Sequence, residues 1–285
     1  MHRNFFYAII TAIKQGGTIM KCGISTSCLY PMETKESLQT LTDMGFQEFE
    51  VFFNTFREIQ SSYTLEMRKR LDDYSAVMRS IHPFTSGFES ALIFTNYRTR
   101  FLDGLEFYKQ YFEAANILGA SILVLHGQNN CGRYGGIEEK DYLEKYLALY
   151  ELGQQFGITV AQENVNGFRS ANPSFIRRMR EQLQNCCAFV FDVKQAVRAG
   201  FDPYDMCDAM GKNLIHVHIN DNAPSQDCLL PGNGTMDYPR LLRQLKQQDY
   251  HGSFIIEVYR RNFEKLEELN SSAMYLNEKL SKYFG

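Results

Sequence analysis

At 285 residues the chain is long for an ordinary domain, yet an α/β barrel takes up about 250 residues as one unit. Its content, 44% hydrophobic and 22% charged, suits a large buried core. A net charge of −3 gives no bulk positive field, which excludes attraction to nucleic acid or an anionic membrane through overall charge.

Residues 1–20, MHRNFFYAIITAIKQGGTIM, form an N-terminal extension. Its apolar run FFYAIITAI is too short to span a bilayer. Lys14 follows without a small-residue cleavage site, so the run is a poor signal peptide. Met20 stands directly before KCGIS, a plausible first strand, and the extension reads either as a mis-called start or as an amphipathic tail. One domain is expected over 21–285.

Eight strand-like runs then follow: KCGIS (21–25), FQEFEVFF (46–53), VMRSIH (77–82), SILVLH (121–126), ITVAQE (158–163), AFVFD (188–192), LIHVHIN (214–220) and FIIEVY (254–259). Helical patterns separate them, among them 99–119 and 139–157, with apolar residues three and four apart and glycine stops. A third, 237–252, starts at Asp237 as an N-cap before Pro239 and also ends in glycine. The final stretch, 261–284, reads as a charged surface helix. Alternating strands and helices make either a closed barrel or an open doubly wound sheet. No GxGxxG or P-loop follows the first strand, which favours the barrel, a single-domain (β/α)8 TIM barrel.

Side-chain size splits with strand parity. Thr159, Ala161 and Glu163 share one face, as do Ala188, Val190 and Asp192, and Ser253, Ile255 and Glu257. The opposite face carries Ile158 and Val160, Phe189 and Phe191, Phe254 and Ile256. Small or polar residues inside and bulky ones beneath the helices is the division a tight barrel requires.

Glu163, Asp192, His218 and Glu257 close four consecutive apolar runs, 29, 26 and 39 positions apart, all on the inward parity. A lone acidic residue at a strand end is usually a helix cap; four in succession point to one cation-binding mouth. Three hard oxygens and one nitrogen suit a single Mn²⁺, Mg²⁺ or Co²⁺ better than Zn²⁺. His216 points inward one layer deeper, as a core histidine or an outer-shell residue orienting a ligand. His82 and His126 close their strands and face the same mouth, suited to contacting substrate. The seven cysteines, without a CxxC pair, include Cys186 and Cys187, which read as buried thiols. A reduced, cytoplasmic protein follows.

The series ENVNG (163–167), FDVKQA (191–196), HVHIND (216–221), LPGNGTMDY (230–238) and IIEVY (255–259) resembles the xylose isomerase-like TIM-barrel superfamily, in its sugar phosphate isomerase/epimerase branch. The likeness extends over about 21–260. It implies that Glu163, Asp192, His218 and Glu257 bind the metal, the same four that spacing and parity select. It further implies a carbohydrate substrate, with or without phosphate, chelated through adjacent carbonyl and hydroxyl oxygens. Glu163 and Glu257 would then act as catalytic acid and base, moving a proton through a metal-stabilised enediolate. Whether the outcome is isomerisation or epimerisation stays open.

Two departures stand out, the first being that HxH is commonly followed by a basic residue before the Asp, where this chain has Asn220 before Asp221. The family often has His three residues after the Asp, where this chain has Gln195, which can bind a hydroxyl but not shuttle a proton. Lys194 is either a charge that holds an anionic group of the substrate or an ordinary surface lysine. The related endonuclease IV class is the alternative, as a metal-dependent hydrolase; its pattern needs a His where this chain has Gln195 and a His in the loop 222–238, which has none. A non-catalytic sugar-binding barrel is the third reading. No nucleic-acid or membrane partner is expected, and a homo-oligomer stays open.

Overall fold

The structure, a computed structural model, describes residues 22–130 and 136–285; the N-terminal extension and Cys131 lie outside these residues. Eight parallel strands close into a barrel: β1 (Cys22–Ser25), β2 (Glu48–Phe52), β3 (Val77–His82), β4 (Ile122–Leu125), β5 (Thr159–Glu163), β6 (Ala188–Asp192), β7 (Leu214–Ile219) and β10 (Ser253–Ile256). Between the last two, β8 (Asp221–Ala223) and β9 (Gln226–Leu229) form an antiparallel hairpin inside what the sequence suggested was plain loop. Closure comes from β10 pairing with β1, Gly23 opposite Ile255. A Cβ on Gly23 would sit 2.5 Å from the Glu48 carbonyl oxygen and 2.7 Å from Ile255 Cδ1, so only glycine admits this approach.

The parity division holds. Val124, Ala161, Ala188 and Val190 form a small apolar cluster of their own, filling the barrel. Val160, Phe189, Phe191, Phe254 and Ile256 belong to the large outer core beneath the helices. That two-layer burial is what fixes each strand's register, because a slip of one residue would exchange the two sets.

Local signals set most helix ends. Arg98–Leu118 stops at Gly119 with φ +76°, and Glu139–Gln155 stops just before Gly157 at φ +74°. Asp237 caps Tyr238–Gln247 by accepting from the Arg240 amide at 2.9 Å. That helix does not end on its glycine: Asp249 takes the left-handed conformation, φ +60°. Gly252 instead passes the Ile215 carbonyl so closely that a Cβ would lie 2.0 Å from its oxygen. The last helix, Glu267–Phe284, is less superficial than its charges suggest. It buries Leu269, Leu276 and Leu280, and Asn277 accepts from the Cys22 amide of β1 at 2.8 Å. Cys187 is buried but Cys186 is exposed, and the six described cysteines are free thiols. Among the described residues no helix is long and apolar enough to cross a membrane.

Candidate metal centre

Glu163 and Asp192 are the last residues of β5 and β6, His218 is the second-last of β7, and Glu257 directly follows β10. Register sets Asp192 opposite His218, and His218 opposite Ile255. The four side chains converge at the C-terminal mouth of the barrel, each offering one donor atom, all within 4.8 Å of one another. His218 Nδ1 lies 3.0 Å from Glu163 Oε1, 3.4 Å from Glu257 Oε2 and 3.8 Å from Asp192 Oδ2. All four are buried.

Asp192 serves two ends at once. Its Oδ1 caps the short helix Val193–Arg198 by accepting from the Gln195 amide at 3.3 Å, while Oδ2 faces the cluster. Asn164, the second residue of the ENVNG segment, locks this strand end in place. Its Oδ1 accepts from the Asp192 amide at 2.8 Å and its Nδ2 donates to the Asp192 carbonyl at 2.9 Å.

Beneath the mouth lies Glu50, in the middle of β2 and so without the strand-end position that marks the other four. Its Oε2 is 2.9 Å from His218 Nε2 and 3.3 Å from His216 Nε2, and it accepts from Ser80 Oγ at 2.7 Å. With Nε2–H donated to Glu50, His218 presents Nδ1 to the three carboxylates, the tautomer a metal ligand needs. His216 sits in that lower layer as expected, and reaches the cluster through Glu50. Burial disfavours the charge on His218, but Glu50, Glu257, Asp192 and Glu163 outweigh it and hold the imidazolium well above its ordinary range. Burial likewise opposes the Glu50 carboxylate; the two imidazoles win and keep it well below the usual range. His216 is the reverse case: burial dominates and lowers it.

His82 and His126 flank Glu163 from the other side. Nε2 of His126 is 3.0 Å and Nε2 of His82 3.7 Å from Glu163 Oε2. The His82 ring stacks on Phe52 at 4.3 Å and meets the His126 ring edge-on at 4.6 Å. Neither imidazole is aligned to hydrogen-bond that oxygen, so Glu163 Oε2 is a buried carboxylate oxygen without a hydrogen-bond partner. A buried, unsatisfied anionic oxygen is costly unless a cation completes it. Hard oxygens, one imidazole nitrogen and this open lone pair together fit a divalent ion.

Lys194 is no surface residue. It is buried, and its ammonium pairs with both Asp192 and Glu257. Gln195 lines the mouth, but its Oε1 is engaged by the Asn166 amide at 3.1 Å. A cavity of about 420 Å³ opens above the cluster, lined by Phe52, His82, His126, Lys194, Gln195 and Tyr259 together with Glu163 and Glu257. That volume suits a small polar molecule.

Strand order, closure and a carboxylate-rich mouth define a (β/α)8 barrel with a donor set that could hold a cation at its C-terminal face. The family model of the xylose isomerase-like TIM barrel matches residues 38–279, and the chain belongs to that family. It is 21% identical over 268 residues to an uncharacterized protein of Mycobacterium leprae, covering 84% of this chain and 89% of that one. Among solved structures, D-psicose 3-epimerase from Clostridium cellulolyticum H10, determined with D-tagatose, superposes with a TM-score of 0.74 at 13% identity, covering 93% of this chain and 99% of that one. The IolI protein with a bound zinc atom gives a TM-score of 0.74 at 15% identity, with coverage of 93% and 100%. At such identities the likeness establishes the shared fold.

Proposed function

We propose that the chain is a divalent-metal-dependent sugar isomerase or epimerase, with Glu163, Asp192, His218 and Glu257 as metal ligands. The observation that carries this reading is the convergence of these four donors within 4.8 Å at the floor of a cavity that Glu163 and Glu257 both line. The family's barrel and the sugar epimerase among its structural neighbours support it.

When bound, the cation polarises a substrate carbonyl and stabilises the negative charge that grows on its oxygen. The chain's own residues handle the proton. Glu257 is the most open of the four ligands at 8% exposure, and its Oε1 has only a long contact, 3.5 Å, from Ser27 Oγ. It therefore has a lone pair free to take a proton from the carbon beside the carbonyl. Glu163, aimed into the same cavity from β5 with His126 and His82 beside its free oxygen, rests as a carboxylate; it takes a proton from water in the cavity and returns it to the opposite face of that carbon, while Glu257 gives its own proton up to water. Phe52 and Tyr259 give the sugar's C–H faces apolar walls and shield the reacting carbon from water. The free thiols agree with a reducing, cytoplasmic setting.

A second reading has one observation in its favour. His82, His126 and Glu163 form another set of donors within 4.8 Å, so a two-metal hydrolase of the endonuclease IV kind is the competing proposal. Metal content decides between them: one ion per chain is expected here, two in the hydrolase. Catalysis is tested by incubating metal-loaded protein with ketoses and inososes in D₂O, removing the metal with chelator and following deuterium at the carbon next to the carbonyl by NMR. Exchange with at least one sugar is expected. No exchange with any sugar at full metal occupancy overturns the enzyme reading and leaves a non-catalytic barrel.

A further inference from the structure

We infer that Lys194 is a built-in counter-ion of the metal centre, whose ammonium holds the site in the metal-free protein and competes with the divalent ion for Asp192 and Glu257. The inference rests on the metal reading above and concerns how that site is filled.

The geometry is specific. The Lys194 side chain is 4% exposed, and its ammonium bridges Asp192 Oδ2 and Glu257 Oε2. Those are the same two oxygens that approach His218 Nδ1, at 3.8 and 3.4 Å. An ion bound there at about 2.0–2.2 Å from each oxygen would share them with the ammonium. It either pushes the ammonium aside or takes the remaining lone pairs, and in both cases meets a like charge at short range in a buried setting.

The sequence around Lys194 makes the competition obligatory. Asp192 is the N-cap of the helix that carries Lys194 in its first turn, so ligand and competitor are fixed to each other two residues apart. The surroundings also give the displaced ammonium a place to go. Lys194 lines the cavity, and the Tyr259 ring centroid is 5.8 Å from Nζ, within reach of a cation–π contact. Without the ammonium, Asp192 Oδ2 and Glu257 Oε2 in the metal-free mouth would share only His218 Nδ1, at 3.8 and 3.4 Å, on an imidazole that already serves Glu163 and Glu50. Lys194 offsets that negative charge and lets the barrel stand without its ion.

Titration of chelator-stripped protein with Mn²⁺, followed by calorimetry or by the EPR signal of free Mn²⁺, tests the competition directly. Lys194→Met is expected to bind Mn²⁺ about tenfold more tightly or better. Its metal-free form should melt lower than the wild type, and Mn²⁺ should raise its melting temperature by more. Lys194→Arg, which keeps the charge, should bind no more tightly than wild type. A damaged fold would weaken metal binding in Lys194→Met, the opposite direction. Unchanged or weaker Mn²⁺ binding by Lys194→Met overturns the inference, even where wild-type deuterium exchange upholds the enzyme reading. Absence of Mn²⁺ binding in both proteins overturns the inference and the metal reading together.

Discussion

Two buried glutamates, Glu163 at the mouth and Glu89 beside it in a short helix, behave in opposite ways. Glu163 is buried among His82, His126 and His218, and although burial alone would raise its pKa, those imidazoles hold its carboxyl well below the usual range. Glu89, in the short helix Glu89–Leu92, is as deeply buried, but its hydrogen-bond donors are neutral, Tyr108 Oη to Oε1 at 2.8 Å and the Gly127 amide to Oε2 at 2.5 Å, and His126 acts on it only through its field. Burial dominates there and pushes the carboxyl up to about 7. Depth is the same; what differs is that three imidazoles approach Glu163 within 4 Å, while the pull of His126 on Glu89 is too weak to offset its burial. At the mouth of this barrel Glu163 and Asp192 are kept charged, and Glu89 shows what the same burial does where that provision is weaker.

The largest test of the contrast is Glu163→Gln. It removes the anion on which three imidazoles converge, and with it both the metal ligand and the proton carrier of the proposed mechanism. Deuterium exchange is expected to fall by about 10²–10⁴-fold, with weaker Mn²⁺ binding in the same protein. An unchanged rate would remove Glu163 from the reaction. Next in size is Glu50→Gln, which takes the buried counter-charge from His218 and His216. Breaking one partner of a buried ion pair costs about 3–5 kcal/mol, read as a lower urea midpoint of metal-free protein. A loss below about 1 kcal/mol would mean that Glu50 is not the charge that holds His218.

Glu89→Gln tests the other side of the comparison through pH. Below the ordinary value of 4.5 the carboxyl is protonated in both folded and unfolded chains. Between there and about 7 the folded chain keeps its proton while the unfolded chain has lost it, so stability falls as pH rises. Above that range the loss levels off at about 3 kcal/mol. The amide cannot ionise, yet it can accept from Gly127 and donate to Tyr108. Glu89→Gln should therefore match the wild type near pH 4.5 and exceed it above pH 7, which thermal melts across pH will show. Parallel melting curves at every pH would mean that Glu89 keeps its charge.

Legibility in the sequence followed the same line between pattern and partner. The barrel and the four converging residues were readable because each of the four ends an apolar run and parity assigns its face. Glu50 was equally readable in principle, as a carboxylate between Phe49 and Val51 in the middle of a buried strand, but attention to strand ends missed it. Lys194 was not: a lysine at the start of a helix gives no local sign that two acids will close over it. Cys186 and Cys187 failed as a pair because neighbours entering a strand face opposite ways, one out and one in. The hairpin of β8 and β9 is too short to show alternation. Glu89 lies outside any strand, in a four-residue helix, and only the fold brings Tyr108 against it.

Tyr108→Phe makes the smallest change and bears most directly on why Glu89 differs. The ring keeps its place against Tyr111 and Phe112, at 5.4 and 6.4 Å, so packing is preserved and only the donor to Glu89 Oε1 is lost. A lost hydrogen bond of this kind costs about 1 kcal/mol. The cost should depend on pH, because a phenol donor stabilises the carboxylate more than the carboxylic acid. Without it the Glu89 carboxyl should titrate at still higher pH, and the falling limb of stability should extend further into the alkaline range. Tyr108→Phe is thus expected to be nearly as stable as wild type at pH 5 and to fall behind above pH 7. Adding Glu89→Gln should erase that pH-dependent gap. A deficit that is the same at every pH would show that the phenol packs against Glu89 without serving its charge, and that burial alone sets this carboxyl apart from the mouth.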